Sequence, residues 1–361
     1  MQRIKSLDTF RGFIMLAMVW VHLSEWWLRD QDIWFSNATV PILKLIFGPG
    51  FLLLAGISIA LSYRKNLIKI ATIDDFNYDI VKKEYLFRAT FILIVALGYN
   101  SIVALQFFNP LDLWKWFMLL TMSISLFITW PLLKAPKYVR LVMAVLIWIL
   151  NYFIFNYLLP YQDQINVNGI IYYFLYNSID VIPFPHYISF LLIGTIVGEV
   201  IFDIYQIDNQ KERKRLLKKK ITVPSLILGV SLIIISVILD SQLSLERTSF
   251  IWIIFAIGIN LILLSAFLGF EDFKLRINKR RFKFLFYYSY YSLTLYLVHN
   301  ILYFFFLHLL NLFYFWIFVT LTCFFIGLVL RLIHNKYGPI FSIKIQVGRL
   351  SSALAKRLEK I

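Results

Sequence analysis

Apolar residues run through this chain in long blocks separated by short polar or basic connections. The blocks fall near 10–28, 40–62, 86–108, 113–133, 139–160, 185–204, 221–242, 248–269, 285–307 and 311–333. A helix needs about 20 apolar residues to cross a bilayer core, and each block is of that order. The repetition predicts an all-α, polytopic membrane protein of about ten transmembrane helices. The first block comes directly after Met1–Thr9 with no small-residue cleavage site, so it reads as a retained helix. The spans are expected to form one domain over 1–336, with 337–361 as a basic, amphipathic cytoplasmic tail.

Lysines and arginines sort by alternate connections. Thirty lie at the N-terminus, in the connections 64–85, 134–140, 205–220 and 271–284, and in the C-terminal tail; the opposite connections hold only Arg29 and Arg247. Cytoplasmic connections carry the excess of basic residues, which predicts that both termini are cytoplasmic at the cell membrane. The same rule accounts for the net charge of +16, including the run KERKRLLKKK (Lys211 to Lys220), without a nucleic-acid partner. Composition agrees, since 60% apolar and 16% charged residues leave too little polar surface to cover a soluble globule. The single cysteine, Cys323, excludes an intrachain disulfide and a cysteine metal cluster, and no metal is expected.

Two segments depart from the span-and-loop pattern. Tyr161 to Phe184 holds no Lys or Arg, its apolar piece Ile170 to Tyr176 is too short to span, and Asp180, Pro183 and Pro185 interrupt the residues after it. A partly buried, re-entrant or lid-like segment is expected there. In the tail, Val347, Leu350, Leu354, Leu358 and Ile361 fall on one helical stripe, with Arg349, Lys356, Arg357 and Lys360 elsewhere. That pattern suits a helix lying on anionic membrane lipid.

Ionisable residues inside a bilayer are costly and mark candidate sites. In the first block Asp8, Arg11, Met15, Met18, His22, Glu25 and Arg29 succeed one another at steps of three and four, which places them on one helical face. Arg11 and His22 point the same way with roughly 16 Å between them along the axis. A plainer reading makes Asp8 and Arg11 an interfacial pair and His22 a packing contact. A polar stripe through the whole thickness of a membrane, however, belongs against a protein cavity.

The ninth block repeats the theme with Ser292, Tyr296 and His299 at i, i+4 and i+7, and then Asn300. Counted from the cytoplasmic side, His299 reaches a depth comparable with His22. His186, at the start of the sixth block, reads as an ordinary interfacial histidine. Gly48-Pro49-Gly50 in the second block loosens a helix, and Gly194-xxx-Gly198 in the sixth favours close packing, with Glu199 beside it.

These residues carry a resemblance. Arg3-Ile4-Lys5-Ser6-Leu7-Asp8-Thr9-Phe10-Arg11-Gly12, with Met15, Met18 and His22, resembles the opening of the heparan-α-glucosaminide N-acetyltransferase catalytic-domain family and its acyltransferase-3 relatives. GPGFLLLAGISIALSYRK (Gly48 to Lys65), VIPFPHYISFLLIGTIVGEVIF (Val181 to Phe202) and YSLTLYLVHN (Tyr291 to Asn300) are similar to later helices of that superfamily. One departure stands out: the N-acetyltransferase has Asn where this chain has His22, and its acting histidine comes in the next external segment. Here no histidine lies between Leu23 and Pro185.

The resemblance implies acyl transfer, with acetyl-CoA or another acyl-CoA as cytoplasmic co-substrate and an extracytoplasmic glycan or amino-sugar acceptor. Arg11, Arg88, Arg64 and Lys65 would meet the donor's phosphates. His22 would act as general base or carry a transient acyl group, with Glu25 or His299 tuning it and Asp8 orienting Arg11. A proton-coupled secondary transporter or flippase using the same stripe is the alternative. The sequence leaves a homodimer open.

Overall fold

A computed structural model describes residues 4–74, 76–106, 108–177, 184–239, 249–272 and 283–359. Among the described residues the regular elements are helical, and the extended pairing is a single parallel bridge between Leu28 and Leu310. The helices are α1 (Lys5–Trp27), α2 (Ile33–Thr72), α3 (Tyr78–Gln106), α4 (Met118–Leu132), α5 (Lys137–Leu158), α6 (Val167–Leu175) and α7 (Phe184–Tyr205). They continue with α8 (Gln210–Leu217), α9 (Val223–Leu239), α10 (Phe250–Asp272), α11 (Lys283–Tyr290), α12 (Ser292–Val298), α13 (Leu312–Tyr337) and α14 (Ile343–Glu359).

Seven helical runs among the described residues are long and apolar enough to cross a membrane: 30–72, 78–106, 137–161, 187–205, 210–239, 250–269 and 312–337. The other three apolar blocks correspond to α1, α4 and α11–α12, and each differs for a physical reason. α1 carries Lys5, Asp8, Arg11 and Glu25, α4 has 15 residues, and the ninth block is broken at Tyr291.

Helix also extends into connections that the charge pattern marks as loops. α2 is one helix of 40 residues despite Pro41 and Pro49, and the basic run Lys218–Thr222 is a π-turn joining α8 to α9.

The chain divides into two compact units. The first comprises Gln2–Phe51 and Ile259–Gln346. Within it α1 lies along α11, where Gly12 meets the backbone of Leu285 so closely that a Cβ would collide with the Leu285 carbonyl. The end of α1 is tied down by backbone bonds: the N–H of Arg29 donates to Leu310 O (3.0 Å), and those of Leu310 and His308 donate to Trp27 O and Trp26 O (both 2.9 Å). The Trp27 indole N–H adds a bond to Leu302 O at 2.8 Å.

The break between α11 and α12 leaves backbone carbonyls that an unbroken helix would satisfy internally. Ser342 Oγ donates to Tyr290 O (2.9 Å) and Lys344 Nζ to Ser289 O (2.7 Å), while Thr294 Oγ1 donates to Phe341 O (2.7 Å). The turn between α13 and α14 thus stabilises the discontinuity in the ninth block.

The second unit comprises Leu52–Gly258 and Val347–Ile361. Here α5 packs on α7, α3 on α4 and α4 on α7. Gly56 and Gly194 bring α2 and α7 together so closely that a Cβ on either would run into the other helix's backbone, at Leu191 or Leu53. The segment between α5 and α7 contains α6, nine residues long, whose Tyr172 is buried with Tyr176 against Leu158. The indole N–H groups of Trp114 (3.1 Å) and Trp116 (2.9 Å) both donate to Phe174 O. In α14 the buried set is Val347, Ser351 and Ala355, and Leu350, Leu354 and Leu358 are exposed. Val347 therefore leaves the leucine stripe on which the sequence pattern places it. Glu359 closes α14 onto α3 by accepting from Lys83 Nζ at 2.6 Å and from Asn77.

Candidate active site

In the first unit, the three-and-four spacing on α1 sets His22 and Glu25 one turn apart, with His22 Nδ1 3.4 Å from Glu25 Oε2. Lys44 of α2 supplies the other partner, its Nζ lying 2.7 Å from Glu25 Oε1. The three side chains are 30%, 31% and 26% exposed, so the cluster is not sealed in the core.

The His22 ring stacks on Trp26 at 5.2 Å between centroids and meets the His299 ring at 5.0 Å. Trp26 also lies 5.9 Å from His299, and Phe47 and Tyr303 complete the aromatic surround. The backbone ties between the end of α1 and residues 302–310 hold these two histidines in register.

Hydrogen-bond partners assign the tautomers. His299 is buried, and its Nδ1 lies 2.6 Å from the Tyr296 carbonyl, which only accepts. Nδ1 therefore carries the proton and Nε2 keeps its lone pair. The Glu25 carboxylate beside His22 Nδ1 assigns His22 in the same way, leaving its Nε2 as the basic nitrogen. A carboxylate behind an imidazole fixes the ring and stabilises the imidazolium that forms on taking a proton. This arrangement can perform general-base catalysis.

Arg11 lies at the other end of α1. Its Nη1 is 3.4 Å from Asp8 Oδ1, which also accepts from Ser289 Oγ at 3.4 Å. Asp8 precedes His22 by about four turns, roughly 21 Å along the axis. Asp8 thus acts on Arg11 and stands apart from the histidine pair.

The remaining candidates belong to the second unit. Arg64 pairs with Asp203 at 3.0 Å, and Lys137 shares that carboxylate at 3.4 Å. Arg88 lies 3.4 Å from Glu84 and lines a small pocket with Ser62, Asn66 and Tyr85. Lys65 is exposed. The His186 side chain lies outside the described residues. Glu199 has a structural partner, the buried Arg140.

Sequence reasoning missed Lys44, Trp26 and Phe47 as site residues. The signal for Lys44 was present, a lone cation inside the apolar block 40–62, and it obeys the same rule that flagged His22. The two aromatics gave none, because this chain is rich in them throughout. Among the described residues no group of three or more His, Cys, Asp or Glu could hold a metal ion.

A family model described as heparan-alpha-glucosaminide N-acetyltransferase, catalytic, matches residues 3–238, well over half of the chain. The match includes His22, Glu25 and Lys44 and ends before His299. No curated protein matches the chain.

Proposed function

The chain belongs to the heparan-α-glucosaminide N-acetyltransferase catalytic family, and from that premise we propose that it moves an acyl group, normally acetyl, from cytoplasmic acyl-CoA to an extracytoplasmic sugar amine or hydroxyl. Family membership and the apolar helices together make it a membrane acetyltransferase. The proposal adds the donor, the acceptor, the roles of individual residues, and a topology of ten spans with both termini cytoplasmic. The charge asymmetry between alternate connections supports that topology.

The observation that carries the chemistry is the His22 ring, 5.0 Å from His299, with Glu25 behind its Nδ1 and its Nε2 left basic. His22 Nε2 takes the proton from the acceptor N–H or O–H as that atom attacks the thioester carbonyl. A C–N or C–O bond forms and the C–S bond breaks. The proton passes from imidazolium to the departing sulfur, giving an amide or ester and a free thiol. Glu25, held by Lys44, keeps the ring oriented, and His299 borders the reacting face. Arg11, held by Asp8, meets the donor's phosphates.

Thioester loss from labelled acetyl-CoA, monitored in membranes across a panel of amino sugars, tests the reading. His22→Ala should lower turnover by about 10²–10⁴, the usual cost of losing a general base. Arg11→Ala should first raise the apparent KM for the donor. Wild-type turnover in His22→Ala, with a donor and acceptor that the parent uses, would remove His22 from this role.

A further inference from the structure

We propose that Trp26 is the positioning residue of the site: its indole holds the His22 and His299 rings in the mutual orientation from which His22 acts as base. This rests on the acyl-transfer reading and deepens it, giving a role to a residue that the reading leaves without one.

Trp26 follows His22 by four residues on α1, so the two side chains share one face of the helix. The indole is inclined by 14° to the His22 ring and by 23° to the His299 ring. The two imidazoles are inclined by 37° to one another, which matches those tilts taken together. In orientation the indole plane therefore lies between the two imidazole planes. The three centroids form a triangle with sides of 5.0, 5.2 and 5.9 Å.

Its contact with Glu25 leaves His22 loosely held. The Nδ1 to Oε2 distance of 3.4 Å is long for an N–H···O bond, and one contact of that length lets the ring rock about its Cβ–Cγ bond. A flat side chain against the ring opposes that motion. His299 is firmer, being buried and bonded to the Tyr296 carbonyl at 2.6 Å. Trp26 is itself fixed, since its carbonyl accepts from the His308 N–H at 2.9 Å and the Tyr303 ring meets it edge-on at 5.6 Å. The indole thus carries the rigidity of the 299–308 segment to the more exposed His22. With two side-chain torsions, tryptophan loses little entropy in doing so.

Such a contact acts on turnover and not on binding. Misplacing a reacting group by about 1 Å can cost on the order of 10² in rate, while donor and acceptor keep their own contacts.

The test measures thioester loss from labelled acetyl-CoA in membranes, with glucosamine as acceptor. Trp26→Leu should lower kcat by about 10–100-fold and leave both KM values within about twofold. Trp26→Phe, which keeps a flat ring, should retain most of kcat. In the His22→Ala background Trp26→Leu should cost nothing further, because the two residues act as a unit. Thermal unfolding in micelles checks that each variant folds; if Trp26→Leu does not, Trp26→Met, long and apolar but without a flat face, replaces it. Unchanged kcat in the folded variant, a raised glucosamine KM at unchanged kcat, or a further loss in the His22→Ala background overturns the inference. Loss of turnover in His22→Ala without loss in Trp26→Leu sinks this inference alone. A parent that consumes no acetyl-CoA, with glucosamine or with water as acceptor, or an active parent matched by His22→Ala, overturns the general-base reading together with it.

Discussion

Pro49 creates a defect in α2 that a residue of another helix repairs. A proline has no N–H, so the carbonyl four residues earlier, that of Leu45, loses its helical partner. Asn260 of α10 donates its Nδ2–H to Leu45 O at 2.8 Å, and both residues are fully buried. Gly50 makes room for the amide, since a Cβ there would collide with Asn260 Oδ1. Asn260→Leu removes the donor and keeps the branching and the number of side-chain heavy atoms. Leaving a buried carbonyl unsatisfied costs about 1–3 kcal/mol, whereas hydrogen bonds within membranes average about 0.6 kcal/mol. A loss of about 1–2 kcal/mol is expected. Pro49→Ala returns an N–H to the helix, so Asn260→Leu should cost much less in that background. Reversible unfolding in mixed detergent micelles, run on all four corners of the double-mutant cycle, measures the coupling. Equal costs of Asn260→Leu with and without Pro49 would refute the repair argument. Because Lys44 and Phe47 sit on the same turn of α2 as Leu45, the cycle also reports how firmly the site wall is held.

Other contacts lead to further outcomes. Gly56→Val should destabilise the second unit by about 1–3 kcal/mol or more, the cost of overpacking where backbones touch, and unfolding in mixed micelles would show it. Hydrogen bonds from Lys83 and Asn77 hold the Glu359 carboxyl below its ordinary value. Its contribution to docking α14 is therefore present above the ordinary carboxylate range and lost as the pH falls through the depressed value. Hydrogen exchange of α14 should accelerate in acid, and Glu359→Gln should abolish that pH dependence. Cysteines placed at Gln210 and Ser352 should label only after the membrane is opened, and one at Gln162 from outside; labelling of position 210 in sealed cells would overturn the topology.

Much of the site was legible because charge in a bilayer is rare enough to be informative. Spacing and depth single out His22, Glu25 and His299 as candidates, and the structure brings the three side chains together in one cluster. Asp8 was grouped with them because it shares their helical face, but a shared face does not shorten an axial distance of four turns. The ninth block reads as one continuous helix, since nothing in Tyr290-Tyr291-Ser292 signals a break. The groups that stabilise the break, Ser342 and Lys344, lie some fifty residues later. The helical extent of α2 was obscured for a related reason: propensity within 64–72 permits helix, while its basic residues suggest a loop.

The bond from Trp27 to Leu302 spans 275 residues of chain. A ribosome adding about 5–20 residues per second needs roughly 15–55 s to cover that separation. Throughout that interval α1 has been made, with Asp8, Arg11, His22 and Glu25 on one face, while α12 and its histidine do not yet exist. Lys44 arrives within seconds of Glu25 and can neutralise it early. The aromatic and imidazole wall is completed only once His299 and Tyr303 have been added. The proposed general base on the first helix therefore gains its imidazole neighbour only after that interval.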